Sequence, residues 1–203
     1  MVIRISISLC VQIRIQSVVS GDRRYYCRAC SLGNALFIFL EYRLSDITVT
    51  FCGHSTIYDE GVRDALYKAI SDVLFTLSSI DKVTFFCGGY GAFDDLCSTV
   101  IDEIRRNGVA PEIEKVFVTP YISESYKDHI DFMRSRYDDV VFPPIESVPK
   151  KFAISRRNEW MIDQSDVVIA YVIHSFGGAA TTLRYAYRKK KTIVRLISDY
   201  DIR

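Results

Sequence analysis

No lysine occurs in this 203-residue chain before Lys68, and every basic residue of the first 45 is an arginine: Arg4, Arg14, Arg23, Arg24, Arg28 and Arg43. Other absences exclude whole classes of function. No apolar run approaches the roughly 20 residues that a membrane-spanning helix needs, so no membrane partner is expected. The net charge is only +1, which supplies no overall field to attract polyanions, and nucleic acid is not expected as a partner. Neither Gly-x-Gly-x-x-Gly nor Gly-x-x-x-x-Gly-Lys-Ser/Thr occurs, so the ordinary dinucleotide and P-loop fingerprints are missing. There is no His-Glu-x-x-His or comparable spacing, and neither a metal site nor a cofactor is expected. No Ser-His-Asp order or Cys-His pair stands out, which leaves nucleophilic catalysis without support and catalytic residues unassigned.

The six cysteines are dispersed. Cys52, Cys87 and Cys97 fall within apolar patterns, where cysteine serves as a small buried hydrophobe. No disulfide framework is expected, and the setting reads as reducing and cytoplasmic. Cys27-Arg28-Ala29-Cys30 has redox or metal-ligand spacing, but no second Cys/His pair lies nearby to complete four zinc ligands.

Two regions differ in character. Residues 1–45 are Arg-rich and acid-poor, with possible strand alternation near residues 2–9 and an apolar helix or strand at 35–42. This segment reads as a poorly structured N-terminal extension, or as sequence from an upstream start. Residues 46–203 are long enough for one α/β domain with a sizeable core.

Within the second region, apolar strands alternate with helical stripes. Strands are expected at 47–52, 82–87, 115–119, 167–172 and 192–196, with a short extended piece at 140–142. Val62, Leu66, Ile70 and Val73 recur at helical spacing, as do Phe93, Cys97, Val100 and Ile104, the second set closed by Asn107-Gly108. Further helices are expected at 123–136, at 152–164, and after Gly177-Gly178. This alternation predicts a Rossmann-like three-layer α/β sandwich with a mostly parallel sheet.

In such a sheet every strand-to-helix turn lies at the carboxyl edge, where ligands bind. Three glycine turns should therefore converge: Gly53-His54-Ser55, Gly88-Gly89-Tyr90-Gly91 and Gly177-Gly178-Ala179-Ala180-Thr181-Thr182. Glycine lets the backbone approach a ligand closely, and the free N–H groups of a following helix suit an anion such as phosphate. Arg156 and Arg157 would add positive charge at the same edge; Arg157 shares helical spacing with Ile154 and Met161 and so leans inward, while a surface pair with Glu159 or Asp163 is the competing reading. Asp94 and Asp95 either cap the second helix or hold a ribose hydroxyl. Ligand-binding candidates are thus Gly53, His54, Ser55, Gly88, Gly89, Gly91, Asp94, Arg156, Arg157, Gly177, Gly178, Thr181 and Thr182.

Phe51-Cys52-Gly53-His54-Ser55, Phe86-Cys87-Gly88-Gly89-Tyr90-Gly91, Arg156-Arg157 and Phe176-Gly177-Gly178-Ala179-Ala180-Thr181 resemble, in order, the blocks of the SLOG superfamily over residues 47–196. That superfamily includes the LOG cytokinin-activating enzymes and the Smf/DprA proteins. The resemblance implies a Rossmann-like pocket for a nucleotide or nucleotide derivative. In the LOG enzymes Pro-Gly-Gly-x-Gly-Thr-x-x-Glu and an upstream Arg-Lys pair support N-glycosidic hydrolysis of a nucleoside monophosphate. Here Phe176 stands for the proline, Ala180 for the third glycine and Arg184 for the glutamate. A guanidinium can neither assist water attack nor steady an oxocarbenium-like sugar.

The leading expectation is therefore a sensor or processing module for a nucleotide-derived small molecule, with a homodimer left open. The first alternative is nucleoside 5′-monophosphate phosphoribohydrolysis, with Asp94, Asp95 or Glu159 replacing the missing carboxylate. The second is DprA-like binding of single-stranded DNA.

Overall fold

The computed structural model describes the backbone of residues 3–5, 26–32, 35–41, 46–76, 82–108, 112–120 and 127–197. The chain divides into two units, Met1–Ser45 with Ser79–Asp81, and Asp46–Ser78 with Lys82–Arg203. In the first unit, β1 (Ile3–Ile5), β2 (Tyr26–Leu32) and β3 (Ala35–Glu41) form an antiparallel sheet in the order β1-β3-β2. The rest of residues 1–45, on which the expectation of an unstructured extension largely falls, lies outside the described residues. The side chains of Cys27 and Cys30 also lie outside them.

The second unit carries the strand–helix alternation. Its strands are β4 (Ile47–Gly53), β5 (Lys82–Cys87), β6 (Glu112–Val118), β7 (Asp139–Val141), β8 (Val167–Tyr171) and β9 (Thr192–Arg195). They form one six-stranded sheet, β7-β6-β5-β4-β8-β9, in which every pairing is parallel. The helices are α1 (Val62–Thr76), α2 (Ala92–Arg106), α3 (Lys127–Arg136), α4 (Lys150–Gln164) and α5 (Gly177–Arg188). Packing of α1 on α2 and of α4 on α5, with both pairs reaching β4, gives the three layers. The expected strand at 115–119 begins three residues earlier, and the extended piece near 140 is the edge strand of the sheet.

Local sequence explains these elements. Every residue of β8 is buried, as its unbroken apolar run demands of a strand covered on both faces. The α2 stripe puts Phe93, Cys97, Val100, Ile101 and Ile104 in the core. That helix ends where Gly108 adopts φ +70° and its N–H reaches back to the Arg105 carbonyl. On the opposite side of the sheet, Cys52, Val168, Ala170 and Val172 pack with Ile162, Ala180, Leu183 and Ala186.

The strand order reverses between β4 and β8: from β4 the chain proceeds outward through β5, β6 and β7, then returns to the other side of β4. Asp166 sets the register of this central pair, its N–H donating to Thr48 O (2.8 Å) and its carboxylate accepting from Thr48 N–H (2.9 Å). The two strands then end level, with Gly53 opposite Tyr171. A crevice at this reversal is where an open α/β sheet binds ligands.

Gly53 is required by packing. A Cβ there would overlap the buried Phe93 ring, which itself stacks on Tyr171 at 5.4 Å between centroids. Gly53→Ala is expected to lower stability by about 1–3 kcal/mol in chemical denaturation, as overpacking of a filled core does; an unchanged midpoint would remove this account.

Candidate functional site

The carboxyl ends of β4 and β5 and the facing sides of α4 and α5 enclose a cavity of about 250 Å³. Gly53, His54 and Ser55 line it from the first turn, Gly88, Tyr90 and Asp94 from the second, and Gly178, Ala179 and Thr182 from the third. Arg157 completes the wall from α4. The three glycine turns therefore meet at one site, as their placement after parallel strands requires.

The glycines divide into two kinds. A Cβ on Gly88 would come within 2.5 Å of the Arg157 guanidinium and 2.9 Å of the Asp94 carboxylate, so Gly88 makes room for both charged groups. Gly89 (φ +67°) lies against Phe117, and Gly91 (φ +103°) against Ser55, whose carbonyl accepts the Ala92 N–H at 2.8 Å. Gly91 thus joins the second turn to the first, Gly89 fits the second turn against β6, and neither lines the cavity. Gly177 and Gly178, by contrast, face open space: a Cβ at either meets nothing within 4 Å.

Arg157 is 2% exposed, and its Nη1 donates to the Gly88 carbonyl (2.7 Å) and the Val118 carbonyl (2.9 Å), clasping the ends of β5 and β6. Its guanidinium also lies 5.1 Å from the centroid of the Tyr90 ring. Arg156 faces the other way: it is exposed and paired with Glu159 at 2.6 Å. The two adjacent arginines were both candidates, and helical geometry separates them by about 100°.

Asp94 accepts the Tyr90 N–H at 2.9 Å. Burial raises its pKa, only partly opposed by that hydrogen bond and by Arg157. It lies with Asp95 in the first turn of α2, where acidic residues complement the helix dipole, although no side chain caps that helix. The first turn of α5 has no acid and no side-chain cap. Thr181 and Thr182 both turn back into their own helix, donating to the carbonyls of Gly177 (2.9 Å) and Gly178 (3.0 Å). Thr181 is exposed outside the cavity, whereas Thr182 is buried and lines it. Arg184, in the place of the LOG glutamate, bonds the Ser175 carbonyl (2.8 Å) and the Thr181 hydroxyl (3.0 Å), which brings positive charge to the start of α5.

His54 joins the first turn to the third: its Nε2 accepts the Ile173 N–H at 3.0 Å, which requires a neutral ring. Its pKa is lowered by burial and by neighbouring His174. Unfolded His54 binds a proton near the ordinary value of 6.5, whereas folded His54 resists until lower pH. Its contribution to stability is thus complete above about pH 6.5 and is lost as pH falls from there through the folded pKa. Melting curves of the wild type between pH 8 and 5 should show this loss, and His54→Asn should flatten it. An equally steep decline in the variant would assign the pH dependence elsewhere.

Cys52 also lines the cavity, but burial, with a smaller contribution from Asp94, pushes its thiol up to about 12, and the S–H points to the Ala179 carbonyl. It is no nucleophile at neutral pH. Ile154, Asn158 and Met161 of α4 were not singled out as site residues, yet they line the cavity beside Arg157. Their spacing along one helix face was the signal that could have found them. Among the described residues, no group of three or more His, Cys, Asp or Glu could hold a metal ion, and no helix is long and apolar enough to cross a membrane.

No protein-family model matches the chain, and no curated protein matches it in sequence. Among solved structures, it is similar to DNA processing protein A from Helicobacter pylori, described as having a unique single-stranded DNA binding mode. The match has 15% identity and a TM-score of 0.49, and covers 73% of this chain and 64% of that one. The expectation that nucleic acid is not a partner is corrected to this extent: a solved structure similar to this chain is described as binding single-stranded DNA. That expectation rested on the net charge of the whole chain, +1. A net charge does not report what the fold brings together: Tyr58 joins His174 and Phe176 from a distant segment to form one ring cluster.

Proposed function

We propose that this domain binds a nucleotide or nucleotide-derived ligand in the cavity at the carboxyl ends of β4 and β5, with the ligand's phosphate at the first turn of α5. One observation carries the reading: that turn has neither cap nor acid, and Gly178 opens it onto a cavity walled by a buried arginine. Unsatisfied N–H groups and the positive end of the helix dipole favour an anion there, and Arg184 beside it strengthens that preference. The resemblance of the glycine blocks to the SLOG superfamily points to the same class of ligand.

Thermal-shift measurements with nucleoside monophosphates, ADP-ribose, cyclic nucleotides and a short single-stranded oligodeoxynucleotide test the proposal. A ligand at 100 times its Kd stabilises by about 2.7 kcal/mol, or roughly 5–10 °C for a domain of this size. No stabilisation by any of them at millimolar concentration counts decisively against it. The oligonucleotide distinguishes a free nucleotide from one unit of a strand, the chemistry described for the Helicobacter pylori protein.

A second reading, N-glycosidic hydrolysis, has one residue in its favour. Of the three candidate carboxylates only Asp94 lines the cavity; Asp95 lies 3.9 Å from Arg136, and Glu159 pairs with Arg156. The raised pKa of Asp94 suits a proton donor to a departing base. Release of free base from AMP, lost in Asp94→Asn, would support it; no release in the wild type would dismiss it.

A further inference from the structure

An array of rings leads from the cavity wall to solvent beside the start of α5. His54, which lines the cavity, lies 5.1 Å from His174 between ring centroids. His174 stacks on Phe176 at 5.3 Å with only 14° between the planes, and Tyr58 meets the same imidazole at 5.9 Å, edge-on. The two outer rings are left open to water, Phe176 at 69% exposure and Tyr58 at 62%. Exposed aromatics scattered singly need no explanation, but here two of them converge on one imidazole.

The array is held in place. Backbone Tyr58 N–H donates to the Tyr171 hydroxyl (3.0 Å), which in turn donates to Asp59 (3.0 Å). The chain at 173–174 is tied to His54 Nε2, and the Ser175 carbonyl is tied to Arg184. Phe176 is the residue preceding Gly177 and stands in extended conformation at the α5 N-cap position. Its ring and the open amides of α5 are therefore neighbours along the chain.

The geometry points to Tyr58, His174 and Phe176 as a stacking platform for a nucleobase, with Phe176 as its open face. This rests on the phosphate reading above: a nucleotide carries a flat apolar ring and an anion on one short sugar, and the fold offers a flat ring and an anion-favouring turn side by side. Stacking tolerates any base, because every base presents a π-face. Preorganised rings also spare the ligand the entropy of ordering them. A free nucleotide and a single strand present the same base to the platform, and the chemistry there is the same.

Titration of the wild type, Phe176→Ala and Phe176→Trp with AMP, ribose 5-phosphate and a short oligothymidylate tests this directly. AMP should bind the wild type more tightly than ribose 5-phosphate. Phe176→Ala should weaken AMP about 5- to 150-fold, the usual loss of one stacked base, and leave ribose 5-phosphate unchanged; Phe176→Trp should retain AMP binding. A free nucleotide as the source predicts that the oligonucleotide binds no better than AMP, and a strand predicts tighter oligonucleotide binding that is also lost in Phe176→Ala. The platform is overturned, with the phosphate reading intact, if ribose 5-phosphate binds as well as AMP or if Phe176→Ala leaves AMP and oligonucleotide binding unchanged. If none of the three probes binds the wild type, both readings fall.

Discussion

Gly178→Asp should abolish ligand binding while leaving the domain as stable as before, or slightly more so. The position has ordinary backbone geometry, outside the left-handed region, and its Cβ direction is empty for 4 Å. Replacing glycine inside a helix removes an entropic cost of roughly 0.5–1 kcal/mol, and a carboxylate in the first turn gains about 0.3–1 kcal/mol from the dipole. The same carboxylate would occupy the place proposed for the phosphate and repel it. The expected result is a melting temperature raised by a few degrees without ligand, and a loss of at least about 100-fold in affinity, since one repelled charge in a desolvated site costs several kcal/mol. Paired melting and titration data decide it. Unchanged affinity would move the anion away from α5, and a large loss of stability would contradict the open space at Gly178.

Arg157→Ala should be the most destabilising single change at the site, by about 3–5 kcal/mol, the usual cost of removing one side of a buried charged interaction. The guanidinium is buried against two strand-end carbonyls, and without it both would sit in a low-dielectric interior without that donor. The truncation also leaves a void where the side chain had filled the wall. For a domain of this size the loss amounts to a melting temperature lower by roughly 10 °C. Arg157→Lys should recover only part of it, because a single ammonium lacks the planar fork and the stacking face presented to Tyr90. Arg156→Ala provides the control. Its exposed pair with Glu159 is worth at most about 0.5 kcal/mol, so equal effects at the two positions would refute the division of roles between them.

That division illustrates how far the sequence alone could be read. Helical spacing with Ile154 and Met161 already turned Arg157 inward, and the structure buries it. Nothing local distinguished Gly53, Gly88, Gly89 and Gly91, which make room for Phe93, Arg157, Phe117 and Ser55, from Gly177 and Gly178, which face open space. All six look alike in sequence because a missing side chain does not record what occupies its place. The aromatic platform was hidden for a related reason: Tyr58 and His174 meet only because β4 and β8 are neighbours in the sheet.

The sequence by itself determined the α/β class, the strand and helix positions from residue 46 onward, and the placement of three glycine turns after strands. These follow from periodicity and end signals that act over a few residues. Only the tertiary structure decided that β4 and β8 adjoin where the strand order reverses, and that the acid-free, uncapped first turn of α5 opens onto the cavity walled by Arg157. Each of these depends on pairings between distant segments, whose free energy comes from burial and hydrogen bonds that no local pattern encodes.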